Sequence, residues 1–146
     1  MKELFDVHCH MVPGVDDGAA DLEESLAMLK MQHEDGVRKI IITPHYRRRM
    51  FETPAKKVHE QFLKLQEAAK KEYPDMSLYL GCELHSNMDL QDILEKRKYV
   101  TMAGSSYVLL EFPREIPHSI SVRESTMYCP AVTNRLSRMW SAIRQR

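Results

Sequence analysis

The sequence predicts an α/β protein built from parallel βα units. Short apolar runs such as residues 39–43 alternate with longer amphipathic segments, and a His or Glu closely follows each run. β-branched runs of this length are typical of buried parallel strands, whereas the longer segments keep helical spacing. Alternating strands and helices form right-handed βαβ units around a parallel sheet, which is either curled or open.

Composition limits the function classes. The 146 residues are 43% hydrophobic, which suits one globular domain. Lys plus Arg and Asp plus Glu number 21 each, so no overall charge attracts nucleic acid or an anionic membrane. Neither a signal sequence nor an apolar run of about 18 residues is evident, which predicts a cytoplasmic protein. Three cysteines without a C-x-x-C motif argue against a disulfide framework and a structural zinc site.

The first half of the chain contains two predicted strands with a helix between them. Residues 4–8 form the first strand, and a helix runs from residue 22 to about residue 35. Asp21 is a good N-cap for this helix, because Glu24 follows three residues later. Residues 39–43 form the second strand, which Pro44 ends, so His45 is expected at its carboxyl end.

The second half continues the alternation. Pro54 suits the first turn of a helix that reaches about residue 72. Its apolar stripe comprises Val58, Phe62, Leu65 and Ala69. A third strand is predicted at residues 77–81, a shorter helix at 90–98 and a fourth strand at 106–110.

The alternation ends after Pro113, and no fifth convincing strand follows. We therefore divide the chain into residues 1–117, which contain the βα units, and a divergent C-terminal tail at 118–146. Asn134 is a suitable N-cap for a final helix in that tail.

His and Glu residues at the strand ends predict a metal site. His8 and His10 are two residues apart, so on an extended strand they point the same way. The carboxyl ends of parallel strands meet at one edge, where ligands and catalytic groups collect. Imidazoles and carboxylates bind Zn, Mn or Fe, and a carboxylate can bridge two ions. The candidate set is His8, His10, His45, Glu83 and Glu111, with Asp17 nearby.

This set predicts hydrolysis in which a metal-bound hydroxide attacks phosphorus, and no side chain is assigned a catalytic role of its own. Any one of these residues has an ordinary structural explanation, so the prediction depends on their concerted placement. Arg47 and Arg48 are candidate phosphate contacts at the rim, although a solvated loop explains them equally well. Other acidic and histidine residues are interpreted as solvated or structural: Asp6, Asp16, His33, His59, His85 and His118.

A competing motif runs from Cys129 to Arg135, with the C-x5-R spacing of cysteine-dependent phosphatases. Such loops present consecutive backbone N–H groups to phosphate and usually rely on glycine. Here Pro130 removes one donor and no glycine lies between the two residues. We interpret the match as coincidence.

The motifs together resemble the bacterial PHP (polymerase and histidinol phosphatase) protein-tyrosine phosphatases of capsular and exopolysaccharide gene clusters. The matches are Asp-Val-His-Cys-His at 6–10, Pro-Gly-Val-Asp-Asp-Gly-Ala at 13–19, Ile-Ile-Thr-Pro-His at 41–45, Gly-Cys-Glu at 81–83 and Tyr-Val-Leu-Leu-Glu-Phe-Pro at 107–113. The resemblance covers about residues 4–117. It implies that the parallel βα units form part of a distorted, TIM-like barrel, which is incomplete here. It also implies a cluster of divalent ions that is often manganese, and phosphotyrosine on a tyrosine kinase that controls polysaccharide export.

The resemblance also implies roles for individual residues. His8 and His10 would hold one ion, Glu83 would bridge, and Glu111 would serve a second ion. Asp17 rather than Asp16 would serve a third ion, together with His45. The family continues with a His-Pro-Glu-Arg-like motif and a later Asp-x-His, and this sequence contains neither.

This departure leaves three explanations open: a truncated product, a native short form, or a homo-oligomer of two half-barrels. It also leaves alternative functions open. One is an inactive or partner-binding remnant of the phosphatase, and another is a different PHP phosphoesterase such as a histidinol-phosphate phosphatase.

Overall fold

The computed structural model describes residues 4–86, 90–96 and 100–112 as short strands alternating with helices. The elements are β1 (Leu4–Cys9), α1 (Leu22–Glu34), β2 (Val37–Ile42), β3 (His45–Tyr46), α2 (Ala55–Glu72), β4 (Ser77–Leu80), β5 (Glu83–His85), α3 (Leu90–Glu95) and β6 (Leu109–Glu111). The predicted boundary at residue 117, the tail helix and the Cys129 motif lie outside these ranges, so they stay predictions.

All pairings between these strands are parallel, which confirms the predicted fold class. The strands form two three-stranded sheets, in the orders β1-β2-β4 and β3-β5-β6. β2 and β4 correspond to the strands predicted at residues 39–43 and 77–81, and a further short strand, β3 or β5, follows each of them. These two short strands were not predicted from the sequence.

Local chemistry explains the break between β2 and β3. Pro44 has no N–H to donate to a neighbouring strand, so β2 ends just before it. Hydrogen bonds nevertheless cross the break, because Gly81 N–H donates to the Ile42 carbonyl at 2.8 Å and Glu83 N–H donates to the Pro44 carbonyl at 3.0 Å. The two sheets thus continue one another, and their strands follow chain order as in a curled barrel wall.

The fourth predicted strand is shorter and shifted. β6 contains Leu109–Glu111, whereas residues 106–108 precede it. The Tyr107 carbonyl accepts a hydrogen bond from Met102 N–H at 2.9 Å, which uses it in a turn rather than in the ladder. α3 ends at Glu95, and the remainder of the helix predicted to residue 98 falls partly outside the described ranges.

The two long helices begin and end as predicted to within one residue. The Asp21 carboxylate accepts from Glu24 N–H at 2.9 Å, and the Glu24 carboxylate accepts from Ala20 N–H at 2.7 Å. Gly36, with φ of 89°, follows α1 in the left-handed region that favours glycine. All four residues of the predicted α2 stripe are buried against the sheet: Val58, Phe62, Leu65 and Ala69.

The core lies between the helices and β2, where Ile40 and Ile42 are completely buried. β1 differs, since Phe5 and Val7 are 62% and 56% exposed and the strand pairs only with β2 within the described ranges. None of the described helices is long and apolar enough to cross a membrane.

Candidate metal centre

The six predicted ligands converge at one edge of the sheet. Strands β1, β3, β5 and β6 and the loop after β1 supply their side chains. Possible ligand atoms lie within 4.8 Å of one another in three overlapping groups: His8, His10 and Glu83; His10, Asp17 and His45; His45, Glu83 and Glu111. The geometry therefore brings together every residue of the predicted set.

Glu83 lies at the centre of this arrangement and is buried. Its Oε2 lies 3.1 Å from Nε2 of His10 and 3.3 Å from Nδ1 of His45, and its Oε1 lies 3.7 Å from Nε2 of His8. Oε2 of Glu83 and Nδ1 of His45 nevertheless have no hydrogen-bond partner of suitable geometry among the described residues. Buried polar atoms normally have partners, so these orphaned atoms fit a site that holds cations.

Asp16 orients His10. Its fully inaccessible side chain accepts a hydrogen bond from Nδ1 of His10 at 2.9 Å, and it also accepts from the backbone N–H groups of His45 and Gly18. The bond to Asp16 raises the pKa of His10. Burial opposes ionisation of Asp16, yet these hydrogen bonds lower its pKa overall.

Thr43 orients His8 in a comparable way. The completely buried Thr43 hydroxyl donates to the Cys9 carbonyl at 3.4 Å, and Nδ1 of His8 lies 2.8 Å from the same oxygen. The shorter of these two contacts engages Nδ1 of His8 with Thr43. Nε2 of His8 is then the ring atom left to face Glu83.

The loop after β1 is folded tightly against the site. Ala19 N–H donates to the His10 carbonyl at 3.0 Å, and a Cβ placed on Gly18 would lie 2.1 Å from that carbonyl oxygen. The Thr53 hydroxyl donates to the Val15 carbonyl at 2.7 Å, which ties this loop to the segment before α2. Asp17 projects from the loop and is 61% exposed, with Oδ1 3.5 Å from Nε2 of His45.

A small hairpin supports His45 from the other side. Arg47 and Phe51 pair in an isolated antiparallel bridge. The Phe51 ring stacks on the His45 imidazole, with 5.2 Å between the ring centroids and 10° between the ring planes. Nδ1 of His45 also lies 3.8 Å from Oε2 of Glu111. Of the two predicted phosphate contacts, Arg47 is half-buried, whereas Arg48 is exposed.

The sequence prediction placed neither Asp16 nor Thr43 in the site. Asp16 was interpreted as solvated or structural, and the structure gives it a structural role in direct contact with a candidate ligand. The adjacent Asp16-Asp17 pair followed by glycine was the available signal. No sequence signal pointed to Thr43, because its contact with His8 depends on the pairing of β1 with β2.

The remaining histidines and cysteines differ in their surroundings. Nε2 of His33 lies 3.0 Å from both carboxylate oxygens of Asp75, and His59 is exposed. Burial raises the pKa of the Cys9 thiol, and burial likewise raises that of Cys82 to about 12. Neither thiol is therefore a thiolate at neutral pH.

A curled parallel βα array with imidazoles and carboxylates gathered at the carboxyl ends of its strands defines an α/β protein with a candidate metal site. The family described as capsular polysaccharide synthesis, CpsB/CapC, matches residues 4–128. The chain belongs to this CpsB/CapC family, which confirms the resemblance inferred from the motifs.

Individual relatives agree with this assignment. The chain is 41% identical over 109 residues to the tyrosine-protein phosphatase CpsB of Streptococcus pneumoniae, covering 75% of this chain and 45% of the relative. It is 31% identical over 110 residues to the tyrosine-protein phosphatase YwqE of Bacillus subtilis, covering 75% of this chain and 43% of that relative. The chain thus spans about half the length of the relatives it matches.

A solved structure is similar as well. It comes from work on YwqE of Bacillus subtilis and CpsB of Streptococcus pneumoniae, described as unique metal-dependent tyrosine phosphatases. The TM-score is 0.71 with 30% sequence identity, covering 82% of this chain and 49% of the other.

Proposed function

We propose that this chain forms part of a metal-dependent phosphatase that removes phosphate from protein phosphotyrosine and regulates capsular or exopolysaccharide synthesis. The observation that carries the proposal is the buried Glu83 carboxylate, whose oxygens face three imidazoles. Three imidazoles around one carboxylate form a donor set for divalent cations. The relatives named as tyrosine-protein phosphatases support phosphotyrosine as the substrate class.

In this proposal the six candidate ligands hold up to three divalent ions, with manganese as the first candidate and zinc or iron as alternatives. His8 and His10 would hold one ion, Glu83 would bridge, Glu111 would serve a second ion, and Asp17 with His45 would serve a third. Bound divalent cations would polarise the phosphoryl group and lower the pKa of water. The protein contributes the fixed orientation of the rings, through Asp16 for His10 and Thr43 for His8.

The proposed partner is a phosphotyrosine protein, with a bacterial tyrosine kinase as the first candidate, in the cytoplasm. Arg47 and Arg48 are proposed to contact substrate phosphate at the rim, because guanidinium groups match phosphate oxygens in a two-pronged geometry. Of these two, Arg47 is the better placed, since it is half-buried beside the ligand strands. A homo-oligomer is proposed as a means of covering the exposed face of β1.

Hydrolysis of an aryl phosphate and of a phosphotyrosine peptide tests this function. Turnover should require added manganese, stop in chelator, and disappear in the His8→Ala plus His10→Ala double variant. His59→Ala, which removes an exposed imidazole from α2, is the matched control and should leave turnover unchanged. Turnover that persists in chelator and is abolished by Cys129→Ser would contradict the metal mechanism and favour the cysteine motif.

The same assay separates the alternative functions. Bound metal without hydrolysis at any metal tested would assign a binding role without catalysis. Faster turnover of histidinol phosphate than of the phosphotyrosine peptide would assign a different phosphoesterase.

A further inference from the structure

The strand pairing extends the ligand cluster by a second layer of polar side chains. Glu83 and His85 are two residues apart on β5, so their side chains lie on the same face of the sheet. In the parallel register, His45 lies beside Glu83 and Glu111 lies beside His85. His85 therefore follows Glu83 along the sheet face that carries the candidate ligands.

Arg47 belongs to the same layer. It is two residues after His45, and its bridge to Phe51 keeps the backbone extended there, so Arg47 faces the same way as His45. Arg47 is half-buried, in contrast to the exposed Arg48 and Arg49. The site is thus followed, toward the carboxyl ends of the strands, by a guanidinium and an imidazole.

His85 is buried in an unusual way for a polar side chain. It is 8% exposed, and its Nδ1 is inaccessible without a hydrogen-bond partner in the part of the chain that the structure describes. The charged or titratable groups that act on the ring are Arg47, Glu111, His45 and Glu83.

We propose that His85 and Arg47 form an anion-binding layer that holds the phosphoryl oxygens of a phosphate monoester above the metal ligands. The inference rests on the proposed function, because it assigns the two residues to substrate rather than to metal. Imidazole and guanidinium N–H groups both donate to phosphate, and Arg47 supplies the positive charge that makes the contact selective for an anion. His85 is not among the groups of atoms close enough to share an ion.

Equilibrium binding of inorganic phosphate to the manganese-loaded full chain, measured by calorimetry, tests the proposal. His85→Gln and Arg47→Gln should each weaken phosphate binding about tenfold, as expected for loss of one charge-assisted hydrogen bond. The number of manganese ions per chain should stay unchanged in both variants. His59→Gln and Lys64→Gln remove an exposed imidazole and an exposed charge from α2, and should bind phosphate like the wild type.

A second measurement does not depend on folding of the variants. In the zinc-loaded wild type, selective ¹⁵N labelling of histidine should show the His85 ring resonances shifting when inorganic phosphate is added, while those of exposed His59 stay fixed.

The outcomes are distinct. If both variants bind metal and keep the wild-type affinity for phosphate, this inference is overturned and the proposed function stands. The same holds if the His85 resonances do not shift when phosphate is added. Loss of manganese in His85→Gln would also overturn it, by making His85 a metal ligand. A wild-type chain that binds no metal would overturn both proposals together.

Discussion

The buried carboxylate of Asp16 accepts a hydrogen bond from Nδ1 of His10, with 2.9 Å between the two atoms. The contact fixes the imidazole so that Nε2 faces Glu83 at 3.1 Å. Asp16 also accepts a hydrogen bond from the backbone N–H of His45 at 2.8 Å. One carboxylate therefore fixes both the His10 ring, which follows β1, and the backbone of His45, the first residue of β3. A side chain outside the candidate ligand set thus fixes the geometry of two candidate ligands.

Asp16→Ala should weaken manganese binding by about 10- to 100-fold, because the supporting hydrogen bond that orients His10 is lost. Titration calorimetry with manganese measures this directly. Asp35→Ala removes an exposed carboxylate at the end of α1 and should bind manganese like the wild type. Equal affinity in the two variants would show that Asp16 does not position His10.

Gly18→Ala should disturb the site through packing alone. The new Cβ would lie 2.1 Å from the His10 carbonyl oxygen, which is backbone and cannot move independently of the strand. We expect weaker manganese binding and a lower melting temperature. Gly36→Ala is the comparison, since its left-handed backbone is strained by alanine but nothing lies within 4 Å of the added atom. Its melting temperature should fall without a change in manganese affinity.

Leu65→Ala should destabilise the fold by about 2–5 kcal/mol, because Leu65 is completely buried in the α2 stripe and its removal leaves a cavity. Leu63 lies two residues earlier on the same helix and is 46% exposed. Leu63→Ala should therefore cost much less in the free energy of unfolding measured with urea. Similar losses in the two variants would contradict the packing of α2 described above.

Asp75 should make stability depend on pH. The hydrogen bond with His33 lowers the pKa of the exposed Asp75 carboxylate, and the Arg38 guanidinium, which forms an ion pair with it at 2.8 Å, acts in the same direction. A carboxylate with a lowered folded-state pKa stabilises the fold above its unfolded-state pKa, and this contribution is lost as the pH falls through the folded-state value. Asp75→Asn should therefore melt below the wild type at pH 7, with the difference shrinking on acidification. A difference that is constant from neutral to acidic pH would contradict this ion pair.

Residues whose placement depends on local pattern were predictable from the sequence. The Asp21 cap, the α2 stripe and the alternation of strands and helices follow from spacing and propensity, and all are present. Convergence of the six candidate ligands also followed, because parallel strands bring their carboxyl ends together.

Residues whose role depends on distant partners were not predictable in the same way. Thr43 contacts His8 across 35 positions of sequence, and Asp16 reaches the backbone of His45 across 29. His85 was interpreted as solvated or structural, and its burial depends on the pairing of β5 with β6. The short strands β3 and β5 were not predictable either, because they depend on which backbone carbonyls continue the ladder past Pro44.

We propose Glu83 as the shared ligand of a divalent metal cluster. Calorimetric titration with manganese, combined with metal analysis after gel filtration, tests it most directly when the wild type is compared with Glu83→Gln. The amide keeps the shape of the side chain but removes the charge, whereas Glu67→Gln does the same at an exposed position on α2. We predict bound manganese in the wild type and in Glu67→Gln, and severe loss of binding in Glu83→Gln. Equal manganese content and affinity in all three proteins would contradict the role of Glu83 as a metal ligand.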